Sequence, residues 1–349
     1  MAACAAQADP LRIAYFHSEL SRDGPGLLLR DILKGDPQVE AWLRIVAHAD
    51  ADVLVIGDID YDLQGVALSA LATRLEDYSY QFLSRPNRGL HGGRDLDADG
   101  RLGGAGDAEG FGTFAGQGGM AVLSRYPIEV AAVQDFSAFH WSYLPEALDV
   151  GDGHDPKRLS TTVHWIVPIE LPNCTNLSLM TWHATAPVFD GPEDRNGRRN
   201  HDETLFWRYF IEGTLSNQVP ERFVLLGTAN ADPNDGESRP EAIRQLLSHH
   251  LVQDPGQASQ GAFDASVRDG GVNVDHLSPA AQDTVDWPDG RNRPGNLRVD
   301  YVLPARTLSV VDGGVVWPSE AQPFAADAAQ ASRHRLVWVD IDVGNACSD

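Results

Sequence analysis

Residues 52–58 read Asp-Val-Leu-Val-Ile-Gly-Asp, an apolar run that stops abruptly on a glycine and a carboxylate. Such a run reads as a buried strand, and it carries Asp58 to a sheet edge, where functional groups gather on loops held by a rigid scaffold. Upstream, Asp36-Pro37 is a helix start, with Asp as the cap and Pro first inside. Val39, Trp42, Leu43 and Val46 follow at helical spacing, so one face of that helix is buried. Before it, Leu11 to Phe16 is a second strand-like run, ended by His17. The first sixty residues are thus β, α, β.

The same pattern returns downstream. Gly227-Thr228-Ala229-Asn230-Ala231-Asp232-Pro233 and Ser332-Arg333-His334-Arg335-Leu336-Val337 each set polar residues against an apolar run. Thr161 to Leu171, Leu177 to Trp182, Arg222 to Gly227, Val299 to Pro304 and Leu336 to Asp340 have strand character. Residues 183–197 form an irregular polar loop. Asn200 and Glu203 then stand at capping-box spacing, which predicts a helix with Phe206, Trp207, Phe210, Ile211 and Leu215 facing inward. Residues from about 253 to 295 are rich in loop formers. With no internal repeat and no polar linker, the expectation is one α/β domain over residues 11–349 behind a tail at 1–10.

At 349 residues and 42% hydrophobic, the chain can bury a sizeable core. Its formal charge of −23 argues against a general nucleic-acid binder, since affinity for a phosphate backbone rests on clustered cations. Lys34 and Lys157 are its only lysines. No segment approaches an apolar membrane span. Cys4, Cys174 and Cys347 lack zinc spacing; Cys174 and Cys347 could be joined, and Met1-Ala2-Ala3-Cys4 is either a free tail or the remnant of a lipoprotein cleavage box that would anchor the chain through Cys4. Asp95-Leu96-Asp97-Ala98-Asp99-Gly100 matches the first half of a calcium loop but has Gly106 at the twelfth position. It reads as a solvated acidic loop, with a structural Ca2+ on Asp95, Asp97 and Asp99 as the alternative.

The strand-end motifs, in this order, resemble the endonuclease/exonuclease/phosphatase superfamily, the deoxyribonuclease I-like proteins, over nearly the whole chain. The likeness extends to strings such as Gly116-Gln117-Gly118-Gly119-Met120-Ala121-Val122-Leu123-Ser124-Arg125-Tyr126-Pro127, Pro187-Val188-Phe189-Asp190-Gly191-Pro192-Glu193-Asp194-Arg195-Asn196-Gly197 and Pro294-Gly295-Asn296-Leu297-Arg298-Val299-Asp300-Tyr301, which are closest to its bacterial secreted branch. The resemblance implies a four-layer α/β sandwich, two packed mixed sheets flanked by helices. It also implies a phosphoesterase that uses a divalent metal, Mg2+ first and Mn2+ or Ca2+ as alternatives, to polarise a phosphoryl oxygen. Four positions match the family's site. His183 and Asn230 match residues that contact phosphate, and Asp300 and His334 match the carboxylate and imidazole that pair for proton transfer.

Four other positions depart. His17 stands where the family has Asn, and Asp58 stands where it has a metal-binding Glu. Glu19 lies near enough to serve as a second metal-binding acid. Thr228 replaces the Asp of Gly-Asp-x-Asn, and Arg333 replaces the Asp before the final His, so two negative charges are lost and one positive charge is gained. Two readings follow. The first is a metal-dependent phosphoesterase with Asp58 and Glu19 on the metal, acting on a small phosphomonoester or phosphodiester. The second is an inactive relative that binds a phosphate-containing ligand or partner in the same cleft, with His17, Asn230 and Arg333 as binding residues. Arg333 turned onto Asp58 would mark the second. A monomer, in the periplasm or outside the cell, is expected in either case, with nucleic acid disfavoured by charge.

Overall fold

The structure is a computed structural model that describes residues 10–97, 99–148, 157–171 and 174–344. The chain begins with β1 (Leu11–Leu20), α1 (Leu27–Lys34), α2 (Pro37–Ala49), β2 (Val53–Ile59) and α3 (Val66–Leu75). Next come β3 (Tyr80–Leu83), β4 (Gly119–Ser124), β5 (Gln134–Asp135), β6 (His164–Glu170), β7 (Asn176–His183) and α4 (Arg195–Ile211). They are followed by β8 (Phe223–Thr228), α5 (Glu241–Leu247), α6 (Gln260–Asp269), β9 (Val285–Asp286) and β10 (Asn296–Leu297). The chain closes with β11 (Asp300–Pro304), β12 (Ser309–Val316), α7 (Ala325–Ala331) and β13 (Leu336–Asp342).

Two mixed sheets result, in the orders β12-β13-β1-β2-β4-β3 and β11-β8-β7-β6-β5, with β9 and β10 as a small separate pair. In β1 and β2, alternate residues go to opposite faces. Ile13, Tyr15, Val53 and Val55 meet the second sheet, among Trp165, Val167, Leu179, Leu225 and Tyr301. Ala14, Phe16, Leu54 and Ile56 pack under α1, α2, α3 and α7. Both faces are therefore covered, which is why these strands read as unbroken apolar runs rather than alternating ones. The far face of the second sheet is covered by α4 through Phe206, Trp207 and Phe210, so the layers run helix, sheet, sheet, helix. This is the expected α/β sandwich.

Local sequence explains most of the elements. Asp36 caps α2 by accepting from the backbone N–H groups of Gln38 at 3.0 Å and Val39 at 3.4 Å, and the helix buries Val39, Trp42, Leu43 and Val46 as the spacing predicts. One boundary is different. Asn200 and Glu203 do not cap a helix; α4 starts five residues before Asn200, and both side chains are buried in its interior. Their polar atoms serve three loops instead, at Thr161, Thr185 and Ala229. Residues 253–295, read as loop, also contain α6. No described helix is long and apolar enough to cross a membrane. Cys174 is disulfide-bonded, and its expected partner Cys347 lies outside the described residues, as does Cys4.

The parallel pairs β1/β2 and β7/β8 end at one edge of the sandwich, where the antiparallel neighbours β11 and β13 begin. Close approach there depends on Gly227: a Cβ on it would lie 1.9 Å from the Trp182 carbonyl oxygen in the paired strand. Gly227→Ala is expected to lower stability by at least about 3 kcal/mol, read as a shift of the urea midpoint. Gly24→Ala, whose Cβ would make an ordinary 3.6 Å contact with Leu27, is expected to change it by less than about 0.5 kcal/mol.

Candidate active site

Six polar side chains converge on that edge. His17 and Asp58 stand near the ends of β1 and β2, His183 and Thr228 close β7 and β8, Asp300 opens β11, and His334 precedes β13. All six are buried. The ladders carry irregularities where the chain leaves the sheet, between His17 and Leu20 and between Gly57 and Ile59. Within them Glu19 and Asp58 adopt φ of 47° and 53°, and Asn230, just past β8, adopts 50°. Such left-handed turns in residues with a Cβ cost about 1 kcal/mol each, and here they re-aim side chains that a regular strand would point into the sheet packing.

The hydrogen bonds form one connected chain. Thr228 Oγ1 lies 2.5 Å from Asp300 Oδ1, 2.8 Å from the Tyr15 hydroxyl and 2.9 Å from His17 Nδ1. A carboxylate only accepts, so the threonine proton goes to Asp300, and Tyr15 O–H and His17 Nδ1–H donate to the threonine oxygen. His17 is thereby left with a bare Nε2, which faces Asp58 Oδ2 at 4.0 Å. Asp300 Oδ2 accepts from His334 Nδ1 at 2.7 Å, which fixes that ring as well. The two rings stack at 3.9 Å between centroids, and His183 meets His17 edge-on at 4.8 Å. His183 Nδ1 is buried with no hydrogen-bond partner among the described residues.

Burial pushes the His17 imidazole down to about 4, helped by His334 and opposed by Asp58, Asp300 and Glu19. Burial also holds His183 well below the ordinary histidine range, with His17 and Arg88 acting in the same direction. Asp58 is desolvated, which would raise it, but Arg88, His17 and His183 outweigh that and hold its carboxyl well below the usual range. Burial pushes Asp60 up to about 6 against the backbone N–H groups of Gly118 and Arg22.

The cation on Asp58 is not the one that sequence reading singled out. Arg88 Nη1 donates to Asp58 Oδ1 at 2.6 Å, while Arg333 turns to Glu19, with its backbone N at 2.8 Å and Nε at 2.7 Å from the carboxylate. The Arg333 side chain is largely exposed. Asn230 Nδ2 donates to the Ala184 carbonyl at 2.9 Å, beside His183. Asp95, Asp97 and Asp99 come together on an exposed loop; Asp95 accepts from the backbone N–H groups of Asp99 and Gly100, Asp97 from that of Asp99, and Asp99 from that of Arg101.

Several residues that position the site were not legible as such. Tyr15 reads as a core aromatic. Asn200 Nδ2 donates to both Thr185 O and Ala229 O at 2.7 Å, and Glu203 accepts from Thr161 N at 2.5 Å and Thr185 N at 2.6 Å, so α4 clamps the loops that carry His183 and Asn230. Burial pushes the Glu203 carboxyl up to about 7 against Arg199 and these two donors. Arg88 sits in a Gly- and Pro-bounded turn without periodicity, and nothing in its spacing marks it.

A divalent ion can be tested against these donors. His17, Asp300 and His334 can each offer one atom within 4.8 Å of the others, a nitrogen-rich set that suits borderline transition metals better than magnesium. Both oxygens of Asp300 already accept hydrogen bonds, and the two remaining candidate carboxylates, Asp58 and Glu19, are each paired with a guanidinium. The set does not fit a hard ion that needs oxygen ligands.

The sequence model described as "Endonuclease/Exonuclease/phosphatase family" matches residues 17–340. No curated protein matches at a significant level. Among solved structures, the chain is similar to an endonuclease/exonuclease/phosphatase from Beutenbergia cavernae, with TM-score 0.57, 18% identity, and coverage of 97% of this chain and 73% of that one. It is also similar to a family protein from Bacteroides thetaiotaomicron, with TM-score 0.53, 12% identity, and coverage of 96% and 98%. Sphingomyelinase C from Streptomyces griseocarneus gives TM-score 0.50 at 15% identity, with coverage of 95% and 99%. At these identities the structural likenesses establish the fold.

A free histidine is mostly protonated at pH 6; His17 should not be. Long-range 15N NMR of the imidazoles is expected to show His17 neutral and protonated on Nδ1 at pH 6, changing state only near pH 4. Because its folded value lies below the unfolded 6.5, its contribution to stability is complete above that pH and is lost as pH falls through about 4. A His17 signal that titrates near 6.5 would show the Thr228 arrangement to be wrong.

Proposed function

The chain belongs to the endonuclease/exonuclease/phosphatase family, whose members are phosphoesterases and nucleases generally dependent on a divalent metal, and from that membership and the site's geometry we propose that its cleft recognises a phosphate ester without hydrolysing it by the metal-dependent route. The observation that carries this reading is the bond from Thr228 to Asp300. A carboxylate at position 228 would face Asp300 across about the same gap, and two carboxylates so placed need a cation or a shared proton between them. Threonine needs neither. Its single proton satisfies Asp300, and its two lone pairs satisfy Tyr15 and His17, so the network closes without an ion and leaves no base at this position to take a proton from water.

Binding would draw on this chain's own donors. Asn230 and His183 lie side by side through the Ala184 carbonyl, and His334 presents Nε2 from a ring oriented by Asp300. His17 and His183 are neutral in the free cleft, and an anion beside them favours their charged forms, so binding takes up protons. The ligand is a small phosphomonoester or phosphodiester; a net charge of −23 repels a polyanion. The same charge and the disulfide at Cys174 support an oxidising location, periplasmic or extracellular.

The second reading is a metal-dependent phosphoesterase with Asp58 and Glu19 on the ion and Asp300 with His334 handling protons. The grouping of His17, Asp300 and His334 within ligand reach of one another favours it.

Assays with p-nitrophenyl phosphate and bis-p-nitrophenyl phosphate under Mg2+, Mn2+ or Ca2+ are expected to show no turnover above buffer. Thr228→Asp combined with Arg333→Asp and with Arg88→Gln, which frees Asp58 for an ion, should raise it by at least about 100-fold. Turnover by the unmodified protein that His334→Ala abolishes would overturn the proposal in favour of the second reading. Sulfate, whose own charge is constant in this range, is expected to bind more tightly at pH 5.5 than at pH 8; equal affinity would remove the histidines from the binding site.

A further inference from the structure

Arg88 is held as a binding residue is held. Its turn is built into the protein: Asn87 is buried and donates to Ser137 O at 2.6 Å and Ser160 O at 2.7 Å, while Arg158 Nη1 donates to Asn87 Oδ1 at 2.8 Å. The backbone on either side is pinned by Gly89 N to Gly110 O at 2.9 Å and Gly116 N to Arg88 O at 3.3 Å. The guanidinium then reaches Asp58 through Nη1, with Gly118 O at 3.3 Å from the same nitrogen. Gly118 makes the room: a Cβ on it would stand 2.1 Å from Nη1 and 2.4 Å from Asp58 Oδ1.

Only one nitrogen of the guanidinium is spent. Nε and Nη2 of Arg88 donate to nothing among the described residues, and the side chain keeps 23% of its surface open. Its charge is felt by both Asp58 and His183, which places it on the cleft. An arginine fixed along one edge by a carboxylate, with donors free on the other, is arranged for an anion with several oxygens in one plane. A structural ion pair would account for Nη1 alone. It would not account for the unspent donors on an open edge of a buried cleft.

From this, we propose that Arg88 is the phosphoryl-binding cation of the cleft, occupying with its side chain the place beside Asp58 that a divalent ion would need, so that anion binding here is independent of metal. This rests on the phosphate-binding reading above and adds to it the source of the positive charge. Asp58 in turn orients the guanidinium, and His17 and His183 flank the bound group.

The test is calorimetric titration of the full chain with phenyl phosphate, in EDTA and in Mg2+ or Mn2+, for the wild type, Arg88→Gln and Arg88→Lys. The wild type is expected to bind equally with and without metal. Arg88→Gln should bind about 10- to 100-fold more weakly, the loss expected of one charge-assisted contact, and its freed Asp58 should make its melting temperature respond to Mn2+ as the wild type's does not. Arg88→Lys, which keeps the charge beside Asp58 and so guards against a folding defect, should weaken binding about 10-fold and stay insensitive to EDTA. Phenyl phosphate binding that requires metal in the wild type, or that is unchanged in both variants, overturns the assignment of Arg88 while leaving phosphate recognition intact. No binding by the wild type under any condition overturns both.

Discussion

The hydroxyl of Thr228 is the joint on which this site depends. It accepts from Tyr15 and His17 of one sheet and donates to Asp300 of the other, and Asp300 passes the connection back to His334 beside the first. Between the facing strands of the two sheets the other contacts of the core are apolar packing, which is non-directional and indifferent to where a strand end points. Hydrogen bonds at 2.5 to 2.9 Å are directional, and they fix both imidazoles by their Nδ1 atoms. Tyr15 can reach Thr228 only because Gly57 lacks a Cβ, which would lie 2.1 Å from the tyrosine hydroxyl. A single glycine in β2 thus admits the tyrosine of β1 to the network.

The electrostatics of the edge run against those of the whole molecule. The chain carries a formal −23, yet the acids nearest the cleft are not left as free charges. Asp58 is paired with Arg88 and Glu19 with Arg333, and Asp300 accepts two hydrogen bonds. Taking charges out of water costs several kcal/mol per ion, so buried carboxylates persist where partners offset that cost. Here the partners are protein groups. Histidines desolvated beside them stay neutral, and the result is a cleft with little net charge of its own that an arriving anion can polarise.

Much of the fold was legible because burial on both faces leaves a strong mark. Val53 to Ile56 and Ile13 to Phe16 are continuous apolar runs for a structural reason, and Asp36-Pro37 caps α2 as its chemistry requires. The polar residues at the ends of those runs were legible for the same reason: where an apolar strand stops, its next side chain sits at the sheet edge. Asn200 and Glu203 show the opposite case. Their spacing imitates a capping box, but α4 is buried on almost every side, so polar residues in its middle can reach loop backbone that needs donors and acceptors. A local pattern cannot tell a helix start from a helix interior pressed against three loops. Arg88 was out of reach for a related reason, since its position is set by long-range contacts of Asn87 with Ser137 and Ser160.

The backbone at the edge argues that the arginine arrangement is built in. Asp58 lies in a left-handed turn at a ladder irregularity, and Gly118, its neighbour just before the paired strand β4, is also left-handed with φ of 53°. Each such turn in a residue with a Cβ costs about 1 kcal/mol and persists only where the surroundings determine it. At Asp58 the surroundings are Arg88 on Oδ1 and His17 facing Oδ2, while the backbone N–H of Gly118 is held by Asp60 Oδ1 at 3.0 Å. The irregularity that turns Asp58 out of β2 therefore turns it toward a guanidinium, and the strand it leaves, β4 beside it and the Arg88 turn are joined through that one carboxylate and one glycine. A Cβ on Gly118 would collide with both partners, at 2.4 Å from Asp58 Oδ1 and 2.1 Å from Arg88 Nη1, so the glycine is what lets the carboxylate and the guanidinium meet there.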